Sequence, residues 1–97
     1  MTKQPESLIL RQVRDYLRLS GWLVIRIQQG IGCYKGISDL VLIREGRTVW
    51  AEVKTERGHL SAFQEAFSKE VEAHGGEYVV IRSLKDAIAM SGDPVLF

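Results

Sequence analysis

Asp39-Leu40-Val41-Leu42-Ile43-Arg44-Glu45-Gly46-Arg47-Thr48-Val49-Trp50-Ala51-Glu52-Val53-Lys54 reads as two strands joined by a tight turn. Apolar and β-branched residues crowd both arms, and Glu45-Gly46-Arg47 between them is turn chemistry. A two-residue loop at Glu45-Gly46 pairs Arg44 with Arg47. Every cross-strand pair then sums to the same number, and Asp39 faces Glu52. Directly opposed residues in an antiparallel pair hold their Cβ atoms about 4.5–5.5 Å apart. Side chains two apart in a strand share a face. Glu52 and Lys54 therefore point one way, and Ala51 and Val53 pack inward on the other.

Two carboxylates set opposite one another repel unless something positive lies between them. A hard divalent cation with oxygen ligands is a compact solution, and Mg²⁺ commonly takes one or two carboxylates with waters and phosphate oxygens. Lys54 beside such a cation suits the orientation of an attacking water near a scissile phosphate. The alternative is an exposed hairpin carrying an Asp/Glu/Lys surface cluster, and a register slip of one residue would separate the carboxylates.

Upstream, Pro5 stands where the first residue of a helix would stand. Leu8, Ile9, Val13, Tyr16, Leu17 and Ser20 then recur at helical spacing, with Arg11, Arg14, Asp15 and Arg18 on the other side. Gly21 ends that helix, and residues 22–28 form a strand. The connector from Gln29 to Ser38 is Gly-rich, but Gly30-Ile31-Gly32 lacks the lysine and spacing of a phosphate loop. Downstream, residues 61–74 are helical, with Phe63, Ala66, Phe67 and Val71 as an apolar stripe closed by Gly75-Gly76. Residues 77–82 form a fourth strand. Ser83 caps a last helix with Asp86 at its third position. The expected fold is α/β, ordered α-β-β-β-α-β-α. A helix crossing between the third and fourth strands makes those two parallel neighbours in a mixed sheet flanked by helices.

The bulk numbers allow one domain over residues 1–97, of a size that buries roughly 60–65% of its unfolded surface. No apolar run approaches the ~20 residues of a membrane span, and the N-terminus has no signal-like apolar core. One cysteine, Cys33, excludes an internal disulfide and has no His or Cys at zinc-ligand spacing. A reducing, cytoplasmic setting is expected. Net charge is only +1. Between Leu8 and Lys35, however, Arg11, Arg14, Arg18, Arg26 and Lys35 face a single acid, Asp15, a distribution compatible with a phosphate-facing surface or with a solvated helix face.

The ordered set Gly36-Ile37-Ser38-Asp39-Leu40, Trp50-Ala51-Glu52-Val53-Lys54-Thr55, Gly58-His59-Leu60-Ser61-Ala62-Phe63-Gln64 and Gly76-Glu77-Tyr78-Val79-Val80 into Arg82-Ser83 resembles the VRR-NUC domain of the PD-(D/E)XK nuclease superfamily, in its small stand-alone, phage-type form. The resemblance runs from about Glu6 to Ala87. Ser38 stands where the superfamily name has proline, away from the chemistry.

The resemblance implies a restriction-endonuclease-like core and a Mg²⁺- or Mn²⁺-dependent hydrolase of DNA phosphodiesters. Asp39 and Glu52 would be the metal carboxylates, with the Val53 carbonyl as a further ligand and Lys54 as the catalytic lysine. Gln64 matches a glutamine placed beside the active site, although Ser61 and Gln64 are also spaced as a capping box. Glu6 matches an acidic residue approaching the metal, or simply favours the helix N-terminus. Lys35, Tyr34, Arg57 and Arg26 are the expected nucleic-acid contacts. The implied substrate is branched, Holliday-junction-like DNA, and the implied state a homodimer, for which the apolar tail at residues 95–97 is a possible surface. The other readings are a flap or nonspecific endonuclease, a non-catalytic DNA-binding or assembly module, and a purely structural protein.

Overall fold

A computed structural model describes residues 4–94. Within them the elements run α1 (Glu6–Leu19), β1 (Leu23–Arg26), β2 (Leu40–Arg44), β3 (Arg47–Val53), α2 (Ala62–Ala73), β4 (Glu77–Ile81) and α3 (Leu84–Ser91). The order is the expected one. The tail at residues 95–97 lies outside the described residues.

The hairpin carries the register read from its sequence. Arg44 pairs with Arg47 and Leu40 with Ala51. Glu45 and Gly46 turn the chain with φ of 50° and 80°, the left-handed pair that matches the twist of two antiparallel strands. Asp39 and Glu52 occupy the next position along, where the ladder has just ended and Asp39 sits in a bend. β1 adds antiparallel to β2, and Ile27 N–H to Asp39 O (2.8 Å) continues that pairing past the strand ends. β4 adds parallel to β3, from Val49–Glu77 to Val53–Ile81, as a crossover through α2 requires. The sheet order is β1-β2-β3-β4.

Strand alternation divides the side chains between two faces. Leu40, Leu42, Val49, Ala51, Val53 and Ile81 pack with Ile9, Val13 and Leu17 of α1 and Ala87 of α3 into the main core. The other face carries Val41, Trp50, Glu52 and Tyr78, with α2 lying over the β4 side. Phe67 of α2 packs at 5.6 Å, ring centre to ring centre, from Trp50. The expected apolar stripe on α2 is narrower than its sequence pattern: Phe67 is buried, but Phe63 is 56% exposed and Ala66 is exposed. The helix covers only part of the sheet, so its first turn overhangs the connector instead of the core.

The helix ends follow their chemistry, with one shift. Pro5 is the residue before α1, not its first, and its carbonyl accepts from Leu8 and Ile9. Ser61 and Gln64 form a reciprocal capping box at α2, and Ser83 accepts from Asp86 N–H at α3.

The far end of the hairpin is tied down by arginines. Arg44 donates to Ser20 O, Asp93 Oδ1 and Ser91 O, and stacks 4.7 Å from the Trp22 ring. Arg47 pairs with Glu77 and donates to Met90 O. These contacts join the turn to α1, β4 and α3, so that the open end of the hairpin is held from behind.

Gly36 and Gly46 share φ of +80° yet sit in different surroundings. A Cβ at Gly46 meets nothing within 4 Å, whereas one at Gly36 would lie 2.1 Å from Phe63 O and 2.8 Å from Gln64 N. Substitution by alanine separates backbone strain from collision. Gly46→Ala is expected to lower stability by about 1 kcal/mol. Gly36→Ala is expected to lower it by roughly 2 kcal/mol more, read from urea unfolding midpoints, because the connector must lift off α2.

Candidate active site

Three backbone devices bring the chemistry to the open end of the hairpin. β3 delivers Glu52 near its end, and Lys54 follows directly after it, its N–H donating to Ile81 O at 3.0 Å. The bend before β2 delivers Asp39, whose Oδ2 accepts the Val53 N–H at 2.8 Å, so the side chain is fixed against the neighbouring strand. The first turn of α2 delivers Gln64, with Oε1 accepting from Ser61 N–H and Nε2 donating to Glu52 Oε1 at 3.1 Å. Gln64 thus completes the capping box and also donates to the Glu52 carboxylate.

Glu52 is only 1% exposed. That rules out the exposed-cluster reading of the hairpin, since an ionised carboxylate without compensation in such a place costs several kcal/mol. Its Oε2 is buried with no hydrogen-bond partner. Burial foremost, then the charge of Asp39 and the hydrogen bond its carboxylate offers the protonated form, push Glu52 up from 4.5 to about 8; Lys54 opposes this and Glu6 adds to it. Among the described residues, Lys54 enters no ion pair. Its ammonium is near enough to bias Glu52 yet is not consumed by a salt bridge.

The donor set suits a hard divalent cation: two carboxylates, an orphaned buried oxygen, and no sulfur or imidazole. Asp39 and Glu52 are the residues that would hold it. No group of three or more His, Cys, Asp and Glu suited to a metal occurs among the described residues. Glu6 is near enough for its charge to act on Glu52. It sits exposed at the start of α1 and lines a cleft with Ser7, Leu10, Arg26, Asp39 and Val53. Arg26 and Asp39 also line an adjoining cleft with Ile27, Gln28 and Gln29. Val53 contributes its N–H to Asp39.

The remaining expected contacts fall in separate places. Tyr34 and Lys35 are exposed beside the first turn of α2, and the Lys35 ammonium lies 5.0 Å from the centre of the Phe63 ring. Arg57 is exposed in the loop after β3. Two residues with no role in the sequence reading also belong here. Arg82 donates to Thr55 O at 2.8 Å and Gly58 O at 2.6 Å, which fixes the chain as it leaves Lys54. Tyr78, on the Glu52 face, has a buried hydroxyl with no partner, and burial followed by the charges of Glu52 and Asp39 raises its pKa. Arg82 was visible only as part of a matched string, because its partners are backbone carbonyls in a loop of no fixed shape.

The arrangement defines a class before it defines a relative: a mixed α/β sheet with an Asp and a Glu-x-Lys meeting at the open end of an antiparallel hairpin. A solved structure described as a VRR_NUC domain superposes with a TM-score of 0.79 at 20% identity, covering 93% of this chain and 97% of that one. The chain has the VRR-NUC fold. No protein-family model and no curated protein matches the sequence. No helix among the described residues is long and apolar enough to cross a membrane.

The raised Glu52 value makes a signed prediction. Below about pH 4.5 the group is protonated whether the chain is folded or not. Between there and about pH 8 the folded chain holds a proton that the unfolded chain does not, so stability falls as pH rises through that window and levels off above it. In metal-free buffer, Glu52→Gln is expected to melt several degrees above the parent at pH 8 and to show little advantage at pH 4.5, measured by circular dichroism; each kcal/mol is worth about 4–8 °C in a chain this small.

Proposed function

We propose that the chain is a Mg²⁺- or Mn²⁺-dependent DNA endonuclease acting on branched, Holliday-junction-like DNA. One observation carries the reading: Glu52, 1% exposed, is set against a second carboxylate, Asp39, with Gln64 as its one side-chain donor among the described residues, while the nearby Lys54 enters no ion pair among them. A structural carboxylate at that depth would be matched by a cation or by donors. Likeness of fold to a VRR_NUC domain supports the same class.

Bound there, a divalent cation would polarise the scissile phosphate and favour ionisation of a nearby water. This chain's residues perform the rest. Asp39 is immobilised by Val53 N–H, and Glu52 is oriented by Gln64, so both carboxylates are set in advance of binding. Lys54 holds the attacking water by donating to it and offsets charge that develops on the phosphate. Arg26, Lys35 and Arg57 supply cations for the flanking phosphates.

A homodimer fits the cutting of two strands at a junction, because one site addresses one strand. Leu23 and Ile25 of the edge strand β1, 57% and 39% exposed, offer an apolar edge suited to a second copy. A reducing cytoplasm is the compatible setting, with Cys33 a free thiol.

The test is cleavage of labelled four-way junction, flap, duplex and single-stranded DNA with Mg²⁺, Mn²⁺ or EDTA. Junction cutting that EDTA abolishes is expected. Lys54→Ala and Asp39→Asn are each expected to lose at least a hundredfold in rate while keeping the parent's circular dichroism spectrum. Undiminished cutting by either variant would overturn the site, and binding without cutting in every metal would favour a DNA-binding module. Light scattering at working concentration should give twice the chain mass.

A further inference from the structure

The connector between β1 and β2 and the first turn of α2 build an exposed aromatic and basic platform next to the carboxylates. Phe63 is 56% exposed and Tyr34 60%, although both are aromatic and neither serves the main core. The Lys35 ammonium stands 5.0 Å from the Phe63 ring centre. The Tyr34 ring lies tilted by 60° to that of Phe67, at 5.6 Å between ring centres, and Tyr34 leaves most of its area to solvent.

The platform is rigid where it matters. Gly36 lies so close to the α2 backbone that a methyl group would sit 2.1 Å from Phe63 O. Gly36, the residue after Lys35, thus lies directly against the Phe63 carbonyl, which keeps Lys35 and Phe63 side by side. Phe63 is also the immediate neighbour of Gln64, whose amide grips Glu52 at 3.1 Å. A ligand on Phe63 is therefore placed relative to the carboxylates by one helical turn, not by a flexible loop.

An exposed ring with a cation over it matches one nucleotide: the ammonium takes the phosphate and the ring takes the attached base. Bases inside a duplex are stacked on each other and cannot present a face to a side chain, whereas unpaired bases can, and stacking on aromatic residues tolerates any base. Resting on the nuclease reading above, we propose that Phe63, Lys35 and Tyr34 form a stacking site for an unpaired nucleotide of the DNA strand adjoining the cut. Among branched DNAs, one whose branch point offers an unpaired nucleotide is then held more tightly than a fully paired one.

Binding in Ca²⁺ tests this without requiring turnover. The probes are a flap duplex with 2-aminopurine at the unpaired position beside the branch, the same flap made of RNA, and a fully paired duplex. Phe63→Ala is expected to weaken flap binding roughly tenfold and to abolish the change in 2-aminopurine fluorescence, with duplex binding kept within about twofold. Phe63→Tyr is expected to restore both, and Lys35→Gln to weaken flap binding with the fluorescence change retained. Because Phe63 is exposed, an unchanged melting temperature should accompany these effects. Equal losses on flap and duplex, or no loss on the flap, would overturn the proposal, and tighter binding of the RNA flap would overturn its assignment to DNA. A parent that binds in this selective way but cuts nothing would refute the nuclease reading and leave the stacking site standing; a parent that cuts, with Phe63→Ala indistinguishable, would do the reverse.

Discussion

The structure turns on one unfavourable placement, a glutamate buried to 1% exposure beside an aspartate. Stability alone would not choose it. Burial and the neighbouring carboxylate both favour the protonated form, one oxygen finds no donor, and the nearest cation, Lys54, forms no ion pair among the described residues. Much of the surrounding architecture makes sense as the scaffold that tolerates this point. The aliphatic face of the hairpin is sealed by α1 and α3, and its turn is locked from behind by Arg44 and Arg47. Strain concentrated at a site and supported by ordinary packing elsewhere is the pattern expected of function.

Division of labour between the two sheet faces follows from the alternation of strand side chains. Val49, Ala51 and Val53 give β3 its grip on the core, which leaves Trp50 and Glu52 free to serve the other face. α2 covers only part of that face. Its capping residue, Gln64, can therefore hold Glu52, and its first turn can meet the connector at Gly36. The uncovered remainder, with Leu23 and Ile25 on edge strand β1, is left exposed.

The hairpin was the most legible part of the sequence because its register has a simple arithmetic. Once Glu45-Gly46 is taken as the turn, the position of every partner follows, and the observed pairing from Arg44–Arg47 to Leu40–Ala51 agrees. The parallel β3–β4 pairing was legible for a similar reason, since a single helix separates the strands. Less could be read where side chains meet backbone across loops. Arg82 clasping Thr55 and Gly58, and Gly36 pressed on Phe63, depend on loop paths that no periodicity encodes. Phe63 was misread for a related reason: its spacing fits an apolar stripe, but α2 is displaced so that this end of the stripe meets solvent. Glu6 lines a cleft with Asp39, a neighbourhood that the periodicity of α1 does not encode.

Asp39 and Glu52 are proposed above to hold one divalent cation between them. Calorimetric titration of the purified chain with Mn²⁺ tests it most directly, because it needs neither substrate nor turnover. The account predicts a saturable binding heat in the parent that is lost in Asp39→Asn at unchanged fold. A parent without saturable heat, or an Asp39→Asn variant that binds as the parent does, would contradict it.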